Sequence, residues 1–278
     1  MRSLGARPAL SVVRAMVTAM PTLQRPRAVL DYSVRPGGPG PVVVSAHGLT
    51  SSREMAAREG LFDWSATSAG GDLVEYDARG HGRSTGEPVP ADYTWSALAG
   101  DLLALVDVVS PDAPVDAIGA SMGTATVLWA AVLRPDRFRR LVLSIPPTAW
   151  DTRAAQAAPY QEEARSVETH GIEPWVRAAA AAPGPAVLGD LNFDPEPSIP
   201  AELLPSVLRG AGASDLPDPS LLARLDHPVL LLPWTTDPGH PVSTAGALAR
   251  VLPHARLEVA ADLTAIHGWG ERAAAFLA

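Results

Sequence analysis

The chain has 278 residues, of which 47% are hydrophobic and 19% charged, with no cysteine and a formal net charge of -8. That balance excludes collagen, coiled coil and a disordered chain, and the missing cysteines exclude disulfides, thiol catalysis and cysteine-ligated metals. An acidic chain offers no footprint for a phosphate backbone or an anionic membrane surface, so neither nucleic acid nor membrane is an expected partner. All 22 basic residues are arginine, which removes Schiff-base chemistry on a lysine.

Residues 1–28 open with five arginines and no acid up to Arg27. A signal peptide needs an unbroken apolar stretch, and Arg14 interrupts the one present, so the expectation is a cytoplasmic protein in which this segment is an N-terminal arm or an edge strand. No run reaches the roughly 18 uncharged apolar residues of a membrane span. From residue 29 onward short apolar runs alternate with helical ones, the pattern of βαβ units on a mainly parallel sheet. Strands are predicted at 29–34, 41–46, 72–76, 115–118, 141–145, 229–232 and 256–259. The 95–109 stretch repeats Leu98, Leu102, Leu105, Val106 and Val109 at helical spacing, 122–133 reads as a second helix ending near Pro135, and 63–68 as a shorter one. Residues 147–226 break the rhythm: they are crowded with prolines, carry an alanine run at 178–182 and contain no clear strand. Short helices joined by turns suit such a segment, which reads as an insertion over the sheet.

The sharpest chemical signal is Gly119-Ala120-Ser121-Met122-Gly123, directly between a strand and a helix. A serine on such a turn is lifted above the sheet, small residues two before and two after let the chain pass closely, and the start of the next helix faces any negative charge that develops there. Serine becomes a strong nucleophile only with a histidine base and a carboxylate to orient it. Downstream, Asp237 follows the 229–232 strand, and His267 follows the last strand just before a terminal helix, which gives the order Ser, Asp, His. Asp151 and Asp262 compete for the acid, and His240 and His254 for the base; His240, between Gly239 and Pro241, reads as a loop residue. No H-x-H or H-E-x-x-H grouping suggests a metal.

Together with His47-Gly48-Leu49 and Asp77-Ala78-Arg79-Gly80-His81-Gly82-Arg83-Ser84, these motifs make residues 29 to the C-terminus resemble the α/β-hydrolase fold family. The resemblance implies an α/β fold with a mostly parallel central sheet flanked by helices, a core formed by 29–146 and 227–278, and a helical cap at 147–226. It further implies that the Leu49 and Met122 amides form an oxyanion hole, with His47 fixing that loop and His81 stabilising its turn. One departure stands out: Ile266 occupies the place where glycine commonly precedes the catalytic histidine.

The activity so implied is hydrolysis of a carboxylic ester or lactone of a small apolar molecule by a serine esterase or lactonase, through an acyl-enzyme and without cofactor or metal, in a monomer or homodimer. Serine rather than aspartate at position 121 disfavours the alkyl-enzyme route of the family's epoxide hydrolases and dehalogenases. Carbon-carbon bond hydrolysis, perhydrolysis and a ligand-sensing role with little turnover remain as alternatives. Trp150, Trp175 and Trp234 are the candidates for an apolar substrate pocket, against simple packing of cap on core.

Overall fold

A computed structural model describes residues 20–191 and 193–278, so most of the arginine-rich N-terminal arm lies outside the described residues. Eight strands form one sheet: β1 (Thr22–Arg25), β2 (Ala28–Arg35), β3 (Val43–Ala46), β4 (Leu73–Tyr76), β5 (Val115–Ala120), β6 (Phe138–Ser144), β7 (Val229–Leu232) and β8 (Ala255–Leu257). Their spatial order is β1-β2-β4-β3-β5-β6-β7-β8. The β1/β2 and β2/β4 pairs are antiparallel and all others parallel. The strands predicted from sequence correspond to β2 through β8, and β1 adds an antiparallel edge within 1–28.

The helices are α1 (Arg53–Glu59), α2 (Trp95–Val109), α3 (Met122–Leu133), α4 (Arg153–His170), α5 (Glu173–Ala181), α6 (Leu204–Gly212), α7 (Pro219–Leu222), α8 (Val242–Val251), α9 (Leu263–His267) and α10 (Trp269–Leu277). The α1 helix was not evident in the periodicity because only Met55 of its seven residues is buried; Ser52 caps it by accepting from the Met55 amide. The helix expected at 63–68 is a 3₁₀ turn, Ser65–Ala69.

Both faces of the central strands are covered, which explains why β5, β6 and β7 read as near-continuous apolar runs. One face packs on α2, α3 and α8, through Leu102, Leu105, Leu128 and Leu248. The other packs on α9 and α10 through Ile266, Trp269 and Ala273. Between β6 and β7, the α4 and α6 helices gather Ala164, Val167, Leu204, Val207 and Leu208 around Tyr93 in a third apolar cluster. The topology also places the site. Chain order runs outward from β3 to β4 and then returns across β3 to β5, so the carboxyl ends of β3 and β5 flank the crevice where open α/β sheets bind ligands.

Candidate active site

Ser121 lies between β5 and α3 with φ 54° and ψ -111°, a left-handed conformation that a non-glycine residue holds only under constraint. The constraint is steric and polar. A Cβ on Gly123 would lie 2.0 Å from the carbonyl oxygen of Ala46 in β3, and one on Gly119 would lie 2.5 Å from Gly123, so both positions require glycine. Thr124 Oγ1 donates to the Gly119 and Ser144 carbonyls, and the Ser121 amide donates to Ser144 O at 3.2 Å, tying the turn to β6.

The histidine that meets this serine is His240. Its Nε2 lies 2.7 Å from Ser121 Oγ, and its Nδ1 lies 2.7 Å from Asp237 Oδ2. An ionised carboxylate only accepts, so Nδ1 carries the proton and Nε2 of the neutral ring is free to accept the serine hydroxyl. Asp237 also organises the short loop it shares with His240. Its Oδ1 accepts from the Gly239 amide at 2.9 Å and the His240 amide at 3.2 Å, and its Oδ2 accepts from Trp234 Nε1 at 2.8 Å. Burial by itself would raise the Asp237 pKa; the hydrogen bond and charge of His240, then the Trp234 indole and the Gly239 amide, outweigh it and hold the carboxyl at about 2.

His267 is elsewhere. It is exposed, bonds to neither Ser121 nor Asp237, and does not line the cavity at the serine. The reason lies in α9: Asp262 caps that helix by accepting from the Ala265 amide, Ile266 turns into the core at 1% exposure, and a helical neighbour is rotated by about 100° away from it. Asp262 is therefore spent as a cap, Asp151 is exposed in a 3₁₀ turn, and His254 pairs with Asp226 at the surface. One signal for His240 was present in the sequence, because the glycine-histidine step missing at 266–267 occurs at Gly239-His240, three residues after the acid.

His47 braces the neighbouring loop. Its Nε2 accepts from the Ala78 amide at 2.9 Å, so Nδ1 is the protonated nitrogen and donates to Gly48 O at 2.8 Å. Burial holds its pKa below the ordinary histidine range, in keeping with a neutral ring. The loop comes close to Ser121: a Cβ on Gly48 would lie 3.5 Å from Ser121 Cβ. Leu49 lines the cavity beside Ser121, while Met122 is buried at the first position of α3, where a backbone N–H has no partner within the helix.

A cavity of about 320 Å³ opens at Ser121 and His240. Of the three tryptophans singled out from sequence, only Trp234 lines it. Trp150 packs against the main core cluster, its Nε1 donating to Pro217 O, and Trp175 packs on the cluster around α4 and α6, its Nε1 donating to Glu163 Oε2. The apolar walls come from Leu61, Phe62, Trp64, Leu188 and Phe193, with Phe62 stacked near-parallel on Trp64, Trp234 and Trp269 at centroid distances of 5.9, 5.8 and 5.7 Å.

A family model described as alpha/beta hydrolase fold matches residues 41–167. The 3-oxoadipate enol-lactonase 2 of Acinetobacter baylyi is 31% identical over 196 residues, covering 67% of this chain and 69% of that protein. Among solved structures, a hydrolase from Pseudomonas aeruginosa superposes with a TM-score of 0.77 at 22% identity, covering 94% of this chain and 99% of that one. The enol-lactonase from Burkholderia xenovorans gives 0.73 at 21% identity, covering 92% and 99%.

Proposed function

Since the chain belongs to the α/β-hydrolase fold family, we propose that it is a hydrolase of carboxylic esters or lactones working through Ser121, His240 and Asp237. The observation that carries this reading is the continuous relay from Ser121 Oγ to His240 Nε2 and from Nδ1 to Asp237, each contact 2.7 Å long. In the reaction, His240 takes the serine proton as Oγ attacks the acyl carbon, and Asp237 holds the ring in the required tautomer and stabilises the imidazolium that forms. The amides of Leu49 and Met122 receive the developing oxyanion. His240 then returns its proton to the leaving alkoxide, and the resulting acyl-enzyme is opened by a water that His240 deprotonates.

The likeness to an enol-lactonase favours a lactone or ester as substrate, and serine at position 121 favours the acyl over the alkyl route. Residues 147–226 act as a cap in this reading, because Pro185, Leu188 and Phe193 from that segment wall the cavity above the nucleophile. Labelling with a fluorophosphonate probe tests the assignment. The intact protein should react at one serine, and Ser121→Ala should abolish the reaction. Labelling of Ser121→Ala at wild-type extent would remove Ser121 as the nucleophile.

A further inference from the structure

Two polar side chains of the central strands face the cavity at Ser121. In the parallel register of β3, β4 and β5, Glu75 pairs with Ser45 and Ser45 with Ile118, so all three project from the same face. The row continues through Val142 and Leu230, both fully buried. Glu75 and Ser45 instead line the cavity that holds Ser121. Ser45 is only 8% exposed, yet its hydroxyl has no hydrogen-bond partner among the described residues. The Glu75 carboxylate likewise has no hydrogen bond or ion pair among them, and Glu59, at the end of α1 and bonded to the Asp194 amide, is a second carboxylate lining the cavity. Burial pushes both glutamate carboxyls up from their ordinary range. Among the described residues, Arg53 alone brings a guanidinium to the cavity; its Nη2 bonds to Asp31 and Asp77, while its buried Nε has no partner.

The charges of Arg35 and Arg53 offset only part of what burial costs the Glu75 carboxylate, and the Ser45 hydroxyl faces the cavity without a protein partner, so both are free to meet a ligand there. We propose that Glu75, Ser45 and Glu59 form a subsite for a protonated amine, so that the substrate of the Ser121 site is an ester or lactone bearing an alkylammonium group. This rests on the hydrolase reading above. An ammonium brings three donors and no acceptor, so it can meet the Glu75 carboxylate and the neighbouring Ser45 hydroxyl together, with Glu59 adding negative charge to the same cavity. Its methylenes would lie along Leu61 and Phe62 between that subsite and the nucleophile. A chain ending in a carboxylate would bring a like charge to Glu75.

The test has a binding arm and a turnover arm, both on the full chain. In the first, calorimetry compares hexylammonium with hexan-1-ol. The amine should bind roughly tenfold more tightly, the worth of one charge-assisted hydrogen bond, and the preference should fall toward unity in Glu75→Gln and partway in Ser45→Ala. In the second, p-nitrophenyl 6-aminohexanoate should exceed p-nitrophenyl heptanoate in kcat/KM by a similar factor, with the monoester of heptanedioate slowest, and Glu75→Gln should erase the difference. Equal or weaker binding of the amine by the wild-type protein would overturn the subsite, and that comparison needs no variant to fold. A preference left intact in Glu75→Gln would overturn it too. If no ester is turned over and the fluorophosphonate does not react, the hydrolase reading fails, while the binding arm still decides the subsite.

Discussion

Replacing His240 by alanine removes the 2.7 Å contact to Ser121 and the 2.7 Å contact to Asp237 in one step. Without a base the serine hydroxyl keeps its proton, and kcat on a neutral ester should fall by roughly 10⁴-fold, about 5.5 kcal/mol of barrier at 1.36 kcal/mol per decade. The fold should survive. Asp237 retains three of its four donors, the Trp234 indole and the amides of residues 239 and 240, so the loop stays closed and the stability cost is that of one charge-assisted hydrogen bond, about 1.5–3 kcal/mol. Initial rates with p-nitrophenyl butyrate, paired with a thermal melt, separate the two effects. His267→Ala, at an exposed position off the cavity, is the control and should keep wild-type turnover. A His240→Ala protein within tenfold of wild type, with activity lost in His267→Ala instead, would refute the assignment.

The Asp237 carboxyl is held at about 2 in the folded chain, against roughly 4 when unfolded, so its ionised form stabilises the protein above pH 4 and that contribution drains away as pH falls toward 2. Denaturant titrations should accordingly find Asp237→Asn less stable than wild type at pH 7, with the gap closing below pH 4; a gap independent of pH would contradict this. Gly123→Ala would set a Cβ 2.0 Å from the Ala46 carbonyl oxygen, and since neither backbone can yield cheaply, it should cost about 3 kcal/mol in chemical denaturation and displace the nucleophile turn.

The elements whose geometry is local were legible in the sequence. Gly119, Ser121 and Gly123 specify a strand-turn-helix through sterics that act within a few residues, and Asp237 follows the apolar run of β7 directly. Burial on both faces makes the parallel strands read as apolar runs, which is why the sheet was visible without contacts. The choice of histidine was of another kind. Both His240 and His267 follow a strand, and which one reaches Ser121 depends on the path of the 237–240 loop and on α9 burying Ile266. The tryptophans behaved in the same way: Trp150, Trp175 and Trp234 are equivalent by composition, and only packing sends the first two to Pro217 and Glu163 and the third to Asp237. The pairing of Glu75 with Ser45 across β4 and β3 was equally hidden, since strand register joins residues thirty apart. Short-range sterics and burial thus determined the Ser121 turn and the sheet from the sequence alone, whereas the histidine that meets Ser121, the acid-lined cavity and its aromatic walls were decided by long-range packing, which brings together side chains whose separation along the chain carries no local trace.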